Sequence, residues 1–246
     1  MAEYRNLPNA PIREALIDIQ ITPPDSLTPD DLLGNYEKFS DEFPEKKQVQ
    51  QGRFGVKMVE GVPEAMPVAH DLLGYRFEDS DGSQVVQFRT NGFTFSQLAS
   101  YRDWETMQEK AAEIWQHYLE IAKPKEISRV GTRYINMLRF PLPFTEPRTY
   151  LNDPPVAAPG QPGTLMSFLK RAVTYDEVTE STAIVTQGIE SYEQDHVPVI
   201  LDIDVFVTTP FEPGDSKLWH CLSNLRSVKN TIFFSSITEQ AAGLFE

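Results

Sequence analysis

The chain has 246 residues, 40% of them hydrophobic and 24% charged, a composition that suits a globular protein with a substantial core. Its formal net charge is −14, so general affinity for phosphate backbones or anionic membrane surfaces is not expected. No apolar run approaches the ~18 residues of a membrane span, Met1 to Asn9 lacks the apolar core of a secretory signal, and the lone Cys221 excludes an intramolecular disulfide or a cysteine-rich zinc site. A reducing, cytoplasmic location is the expectation.

In chain order, Glu14 to Ile21 comes first. Ala15, Ile17, Ile19 and Ile21 alternate with Glu14, Leu16, Asp18 and Gln20, which predicts a half-buried strand. Thr28, Pro29 and Asp31 then read as the capped start of a short helix with Leu32, Leu33, Tyr36 and Phe39 as its apolar stripe. Arg53 to Val59 is a weaker strand candidate in a loop-like region. Leu73 to Glu78 and Gln84 to Thr90 flank Asp79-Ser80-Asp81-Gly82, a hairpin signal, and Asn91-Gly92 turns the chain into Phe93 to Leu98. These three strands form a meander.

A long helix follows, with Ser100 as its expected cap and Asp103 at the capping-box position. Trp104, Met107, Ala111, Ile114, Tyr118 and Ile121 lie on its apolar face, with Trp115 beside them as core or rim packing. Ile127 to Phe140 reads as a long strand. Pro141 to Gly163 is rich in Pro and Gly and has no hydrophobic period, so it reads as a linker. Beyond it come a short helical piece at Leu165 to Lys170 and strands at Ala172 to Val178, Ala183 to Ile189 and Val197 to Val207. A helix capped by Asp215 or Ser216 carries Leu218, Leu222, Leu225 and Ile232, and Ser236 to Glu239 can cap a last short helix. Trp219 and Phe234 are candidates for an exposed apolar patch.

Hairpin-linked strands followed by helices predict an α+β fold. Each half has three strands followed by a long helix, so the expected organisation is two similar halves, each a mainly antiparallel sheet on a helix. The halves are residues 1–141 and 164–246, joined by a linker at 142–163.

No Walker loop, dinucleotide fingerprint, nucleophile elbow, zincin motif or EF-hand loop is present. His220 and Cys221 are adjacent on a helix and do not face one another, so they do not form a nucleophilic pair. Two strand faces remain. Asp202 and Asp204 lie two residues apart on one face of Val199 to Val207, a spacing that can hold a divalent cation such as magnesium or serve acid–base chemistry. Arg129 and Arg133 share one face of the long strand, with Asn136 on the other, and paired arginines can bind a phosphate or carboxylate. Gly131 between them leaves room for a close approach. The same arginines could instead pair with Asp18, Asp202 or Asp204 across the sheet.

Asn9-Ala10-Pro11-Ile12-Arg13-Glu14-Ala15 and Arg129-Val130-Gly131-Thr132-Arg133-Tyr134-Ile135-Asn136 resemble two signatures of a sporadically distributed family of prokaryotic proteins. Leu201 to Phe206 and Asn230 to Thr238 are similar to that family's C-terminal pattern. The resemblance implies an accessory or conflict-related role and brings no catalytic residue. The expected function is a non-catalytic binding or interaction protein, homo-oligomeric or with a protein partner. The alternative is a binder of anionic small molecules or nucleotides through Arg129, Arg133 and Asn136. In that case Asp202 and Asp204 would hold a metal, as in a metal-dependent hydrolase.

Overall fold

The structure, a computed structural model, describes residues 1–53, 56–59, 62–65, 69–98, 101–144, 146–154, 166–189 and 193–246. The alternation in the sequence is realised as an antiparallel sheet of nine strands. These are β1 (Ile12–Thr22), β2 (Glu45–Arg53), β5 (Ala69–Glu78), β6 (Gln84–Arg89), β7 (Gly92–Gln97), β8 (Glu126–Pro141), β9 (Phe168–Asp176), β10 (Ser181–Ile189) and β11 (His196–Val207). Their order is β2-β5-β6-β7-β1-β8-β11-β10-β9. Between β2 and β5, β3 (Val56–Val59) and β4 (Val62–Ala65) pair separately. The fold is α+β, with α1 (Trp104–Ala122), α2 (Lys217–Ser236) and the short α3 (Glu239–Ala242).

The inner face of the sheet carries Ala15, Ile17 and Ile19 of β1, Tyr134 and Leu138 of β8, and Val199, Leu201, Ile203 and Val205 of β11, all fully buried. Helix α1 packs against β7, and α2 against β8 and β11. The two helices touch: Gln108 Nε2 donates to the Trp219 carbonyl at 2.7 Å, and Trp104 Nε1 to Ser223 Oγ at 3.3 Å. Under α1 lies an aromatic cluster in which Trp115 stacks on Tyr118 and meets Phe93 edge-on. The amphipathic stripes of the two helices are therefore the lid on one face of one sheet. No helix among the described residues is long and apolar enough to cross a membrane.

Several local expectations need correction. The helix expected after Thr28 is two 3-10 turns, Asp30–Leu33 and Tyr36–Lys38, because Gly34-Asn35 interrupts the run with poor helix formers. Asp31 Oδ2 accepts from the Thr28 amide and hydroxyl at 2.8 and 2.7 Å, so the capping contact forms without an α-helix to follow. Asp103 itself caps α1, accepting from the Thr106 amide at 2.7 Å; Ser100 lies outside the described residues. The expected helical piece at Leu165 to Lys170 is instead the start of β9, where Phe168 to Lys170 pair with Gln187 to Ile189. Leu165 is outside the described residues. Trp219 is half-buried and Phe234 buried, both packed on the core, so they form no exposed patch.

In the Pro/Gly-rich stretch, Phe144 and Tyr150 stack on Phe140, and Leu151 is fully buried. Asn152 Nδ2 donates to the Ser235 and Ile237 carbonyls, satisfying the C-terminal end of α2. Phe140, Phe144 and Leu151 belong to the main hydrophobic core, with Tyr150 packed against it. Residues 155–165 lie outside the described set.

Gly74 of β5 passes so close to β6 that an added Cβ would lie 2.0 Å from the Phe88 carbonyl oxygen. Gly74→Ala is expected to destabilise the chain by about 3 kcal/mol, because backbone and not a flexible side chain is in the way. Urea unfolding compared with wild type checks this.

Candidate functional site

The outer face of the sheet carries a ladder of charges across five adjacent strands. β8 stands between β1 and β11, with Gly131 opposite both Asp18 and Phe206, and Arg133 opposite Asp204. Arg129 leans along the strand over Gly131. Its Nη1 donates to Asp18 Oδ2 at 2.7 Å and its Nη2 to both carboxylate oxygens of Asp204 at 2.9 Å. Arg133 leans the same way and grips Asp202 through Nε and Nη2 at 2.8 and 2.6 Å. On the other side, Arg89 Nη2 and Thr94 Oγ1 donate to Asp18 Oδ1 at 2.8 and 2.9 Å.

This arrangement explains Gly131. A Cβ there would stand 3.0 Å from Arg129 Nη1 and 2.9 Å from the Phe206 Cβ. The group that approaches the backbone closely is Arg129's own guanidinium, held 4.1 Å from the Phe206 ring centroid as a cation–π contact. Burial raises the Asp204 carboxyl's pKa, against the pull of Arg129, while the Asp202 hydrogen bond raises that of Arg133.

The structure thus brings Arg129, Arg133, Asp202 and Asp204 together, but as partners of one another. Both guanidinium groups are engaged by carboxylates, and both carboxylates by guanidiniums. Among the described residues no group of three or more His, Cys, Asp or Glu is placed to hold a metal ion. Asn136 is not with them. It lies on the inner face, buried, with Nδ2 donating to the Leu201 carbonyl at 2.9 Å. Cys221 is half-buried on α2, and burial raises its thiol pKa, the opposite of nucleophile activation.

A second constellation lies on the inner side, around Asn136, where the N-terminal segment, β8, the start of α1 and α2 enclose a cleft of about 630 Å³. Tyr101 lines it, and its hydroxyl is 3.2 Å from that of the fully buried Tyr134. Over the Tyr134 ring, 3.7 Å from its centroid, sits the ammonium nitrogen of Lys229. Lys229 is only 7% exposed and lines the cleft. Burial, with the like charge of Arg226, lowers its pKa from 10.5 to about 7. Burial also raises the Tyr101 and Tyr134 phenols, so both stay neutral.

Sequence reasoning passed over Lys229, although a signal was present. Leu218, Leu222, Leu225, Lys229 and Phe233 follow the spacing of three and four that marks the buried face of α2. A lysine inside such a stripe is rarely buried without a partner. Asn9 to Ile12 and Asn136, far apart in the chain, both line this cleft. The N-terminal wall is tied down: the Ala2 amide donates to the Phe234 and Ile237 carbonyls, the Asn9 amide to the Phe245 carbonyl, and the Met137 amide to the Pro11 carbonyl.

No protein-family profile matches the chain, and neither a curated protein nor a solved structure matches it.

Two outcomes are expected of these side chains. Arg129→Met leaves Asp18 short of one partner and Asp204 without its guanidinium, so it lowers stability by about 3 kcal/mol, measured by urea unfolding at neutral pH. Lys229 loses its proton near pH 7 when folded but near its ordinary 10.5 when unfolded. Between those values the unfolded chain binds more protons, so stability rises with pH, and below about 7 the penalty is complete. Lys229→Met removes this slope and raises stability by about 2 kcal/mol at pH 7, read from melting curves between pH 6 and 10.

Proposed function

We propose that the protein is a non-catalytic binding protein that works by self-association through the free edge of β9. The observation that carries this reading is where the exposed apolar side chains collect. Leu169 is 79% exposed, Tyr175 63% and Val178, in the turn that follows, 91%, with Val173 between them. Among the described residues β9 is the last strand of the sheet and pairs only with β10. Its outer face presents Leu169, Arg171, Val173 and Tyr175 side by side.

The opposite edge is different. β2 reads Glu45-Lys46-Lys47-Gln48-Val49-Gln50-Gln51-Gly52-Arg53, a strand guarded by charge and amide groups, as edges that avoid pairing are. β9 sets Lys170, Arg171 and Asp176 among exposed apolar residues, and its sequence suits a second copy of itself. In an antiparallel pair centred on Val173, Lys170 of each copy faces Asp176 of the other, Arg171 faces Tyr175, and the two Val173 side chains meet. Main-chain hydrogen bonds across the edge would supply affinity, and these side-chain pairs the register.

The strand order also supports reading the two halves as related units. β1 followed by β5–β7 and α1 has the same order as β8 followed by β9–β11 and α2, with β1 and β8 adjacent at the centre. Membership of the sporadic prokaryotic family rests on the two signatures quoted above. The alternative of an anion site built on Arg129 and Arg133 is not favoured, since Asp18, Asp202 and Asp204 already neutralise both.

Size-exclusion chromatography with light scattering across a concentration series tests the association. The wild type is expected to approach twice the 28.0 kDa of one chain. Val173→Lys places like charges at the centre of the pair and is expected to weaken association at least about tenfold, leaving the melting temperature nearly unchanged. A wild type that stays monomeric at the highest attainable concentration sinks the reading.

A further inference from the structure

We infer that the inner cleft between the N-terminal segment, β8 and α2 binds a small organic anion, a carboxylate or a phosphate ester of metabolite size. The Lys229 ammonium and the Arg226 guanidinium would meet its charge. The proposal is independent of the β9 edge.

The first argument is the uncompensated charge. Lys229 occupies a core position of α2, where a leucine would pack without penalty, and burying an ammonium without a counter-ion is costly. Among the described residues no carboxylate pairs with it and no acceptor hydrogen-bonds its nitrogen; its contact is the Tyr134 ring. Arg226, one turn earlier on the same helix, also faces the cleft, and its nearest acid is Glu105 at 4.0 Å, the outer limit of an ion pair. Two cations thus line one cleft with little between them to offset their repulsion. An anion placed between them turns that penalty into attraction.

The second argument is the accounting of the other charges that face Lys229. Arg102 lines the cleft and has no ion-pair partner among the described residues. Arg5 is committed to Glu239 and Glu246. Asp103 is committed to the Thr106 amide as the cap of α1, which keeps its pKa low. Tyr101 and Tyr134 stay neutral because burial raises both phenols. Uncommitted positive charge therefore gathers at one cleft of a protein whose formal net charge is −14. An acidic surface repels polyanions, so the occupant is a small solute that fits inside.

Third, the cleft is built to orient such a solute. About 630 Å³ is within the usual range of small-molecule sites, which is roughly 300–1,000 Å³. The Asn136 side-chain carbonyl oxygen accepts no hydrogen bond among the described residues, although its amide nitrogen is held by the Leu201 carbonyl. Asn136 lines the cleft, so this acceptor is available to a ligand hydroxyl. The Tyr101 hydroxyl is a further donor or acceptor.

Binding of an anion favours the protonated amine, so the complex takes up a proton at Lys229 when formed above the free amine's midpoint. Affinity is then level below pH about 7 and falls up to about tenfold per unit above it.

The test uses the full chain. Melting temperatures are measured with succinate, citrate, inorganic phosphate and glucose 6-phosphate, each against potassium chloride at matched ionic strength, and hits are titrated calorimetrically at pH 6, 7, 8 and 9. Shifts from the first two point to a carboxylate ligand, and from the last two to a phosphate. At least one probe is expected to raise the melting temperature above its salt control, with affinity falling from pH 7 to 9. Lys229→Met and Arg226→Gln are each expected to weaken that binding at least about tenfold. In wild-type protein with ¹³C-labelled lysine, the titration midpoint of Lys229 should rise on saturation, a readout that needs no variant to fold. The proposal is overturned if no probe exceeds its salt control, if Lys229→Met binds as wild type does, or if the Lys229 midpoint is unmoved by saturating anion.

Discussion

Arg129, laid over Gly131 between Asp18 and Asp204, is the contact on which the sheet's arrangement turns. Its donors reach acids on both neighbouring strands, so it pins β8 to β1 and β11 at once. Side chains of a strand alternate between faces, and a slip of one residue would send Arg129 and Arg133 into the core and Tyr134 and Leu138 out of it. The ladder and the core thus impose the same register from opposite faces. Only glycine at 131 lets the guanidinium lie low enough to reach both acids.

The same strand explains why one face of the sheet is chemically quiet and the other is not. On the outer face, Arg89, Arg129 and Arg133 are paired across the strands with Asp18, Asp202 and Asp204. Such pairs specify geometry more than they add stability, because desolvation offsets much of their attraction. On the inner face, β8 presents Tyr134 to a lysine that has no acid paired with it among the described residues. The conspicuous charges are structural, and the chemically open position is a single amine among aromatic and aliphatic side chains. Perturbed titration together with a cleft is the combination expected of a functional site.

Much of the fold was legible in the sequence, for local reasons. The alternation of Ala15, Ile17, Ile19 and Ile21 predicted a strand and its buried face, and the Asp79 to Gly82 and Asn91-Gly92 turns placed the meander. The stripe from Trp104 to Tyr118 predicted a helix packed on a sheet. β2 was missed, because an edge strand of Glu, Lys and Gln has no apolar face to betray it. The start of β9 was taken for a helix because Phe168-Leu169-Lys170 lacks alternation and is held in place by β10. Among the site residues, the pairing of the arginines with Asp18, Asp202 and Asp204 was foreseen as one of two outcomes. Lys229 was not, since a lysine reads as solvent-facing until its neighbours are known.

The sequence by itself determined which residues of β1, β8 and β11 share a face, because that follows from a period of two along one strand. It also determined that no complete catalytic motif is written in the chain. Only the tertiary structure decided who stands opposite whom. Arg129 meets Asp18 across 111 residues of chain and Asp204 across 75, and Lys229 meets the ring of Tyr134 from another element altogether. Sheet order is a long-range property, and no local pattern carries it. It is that order which neutralised the paired arginines and set the buried lysine over the Tyr134 ring.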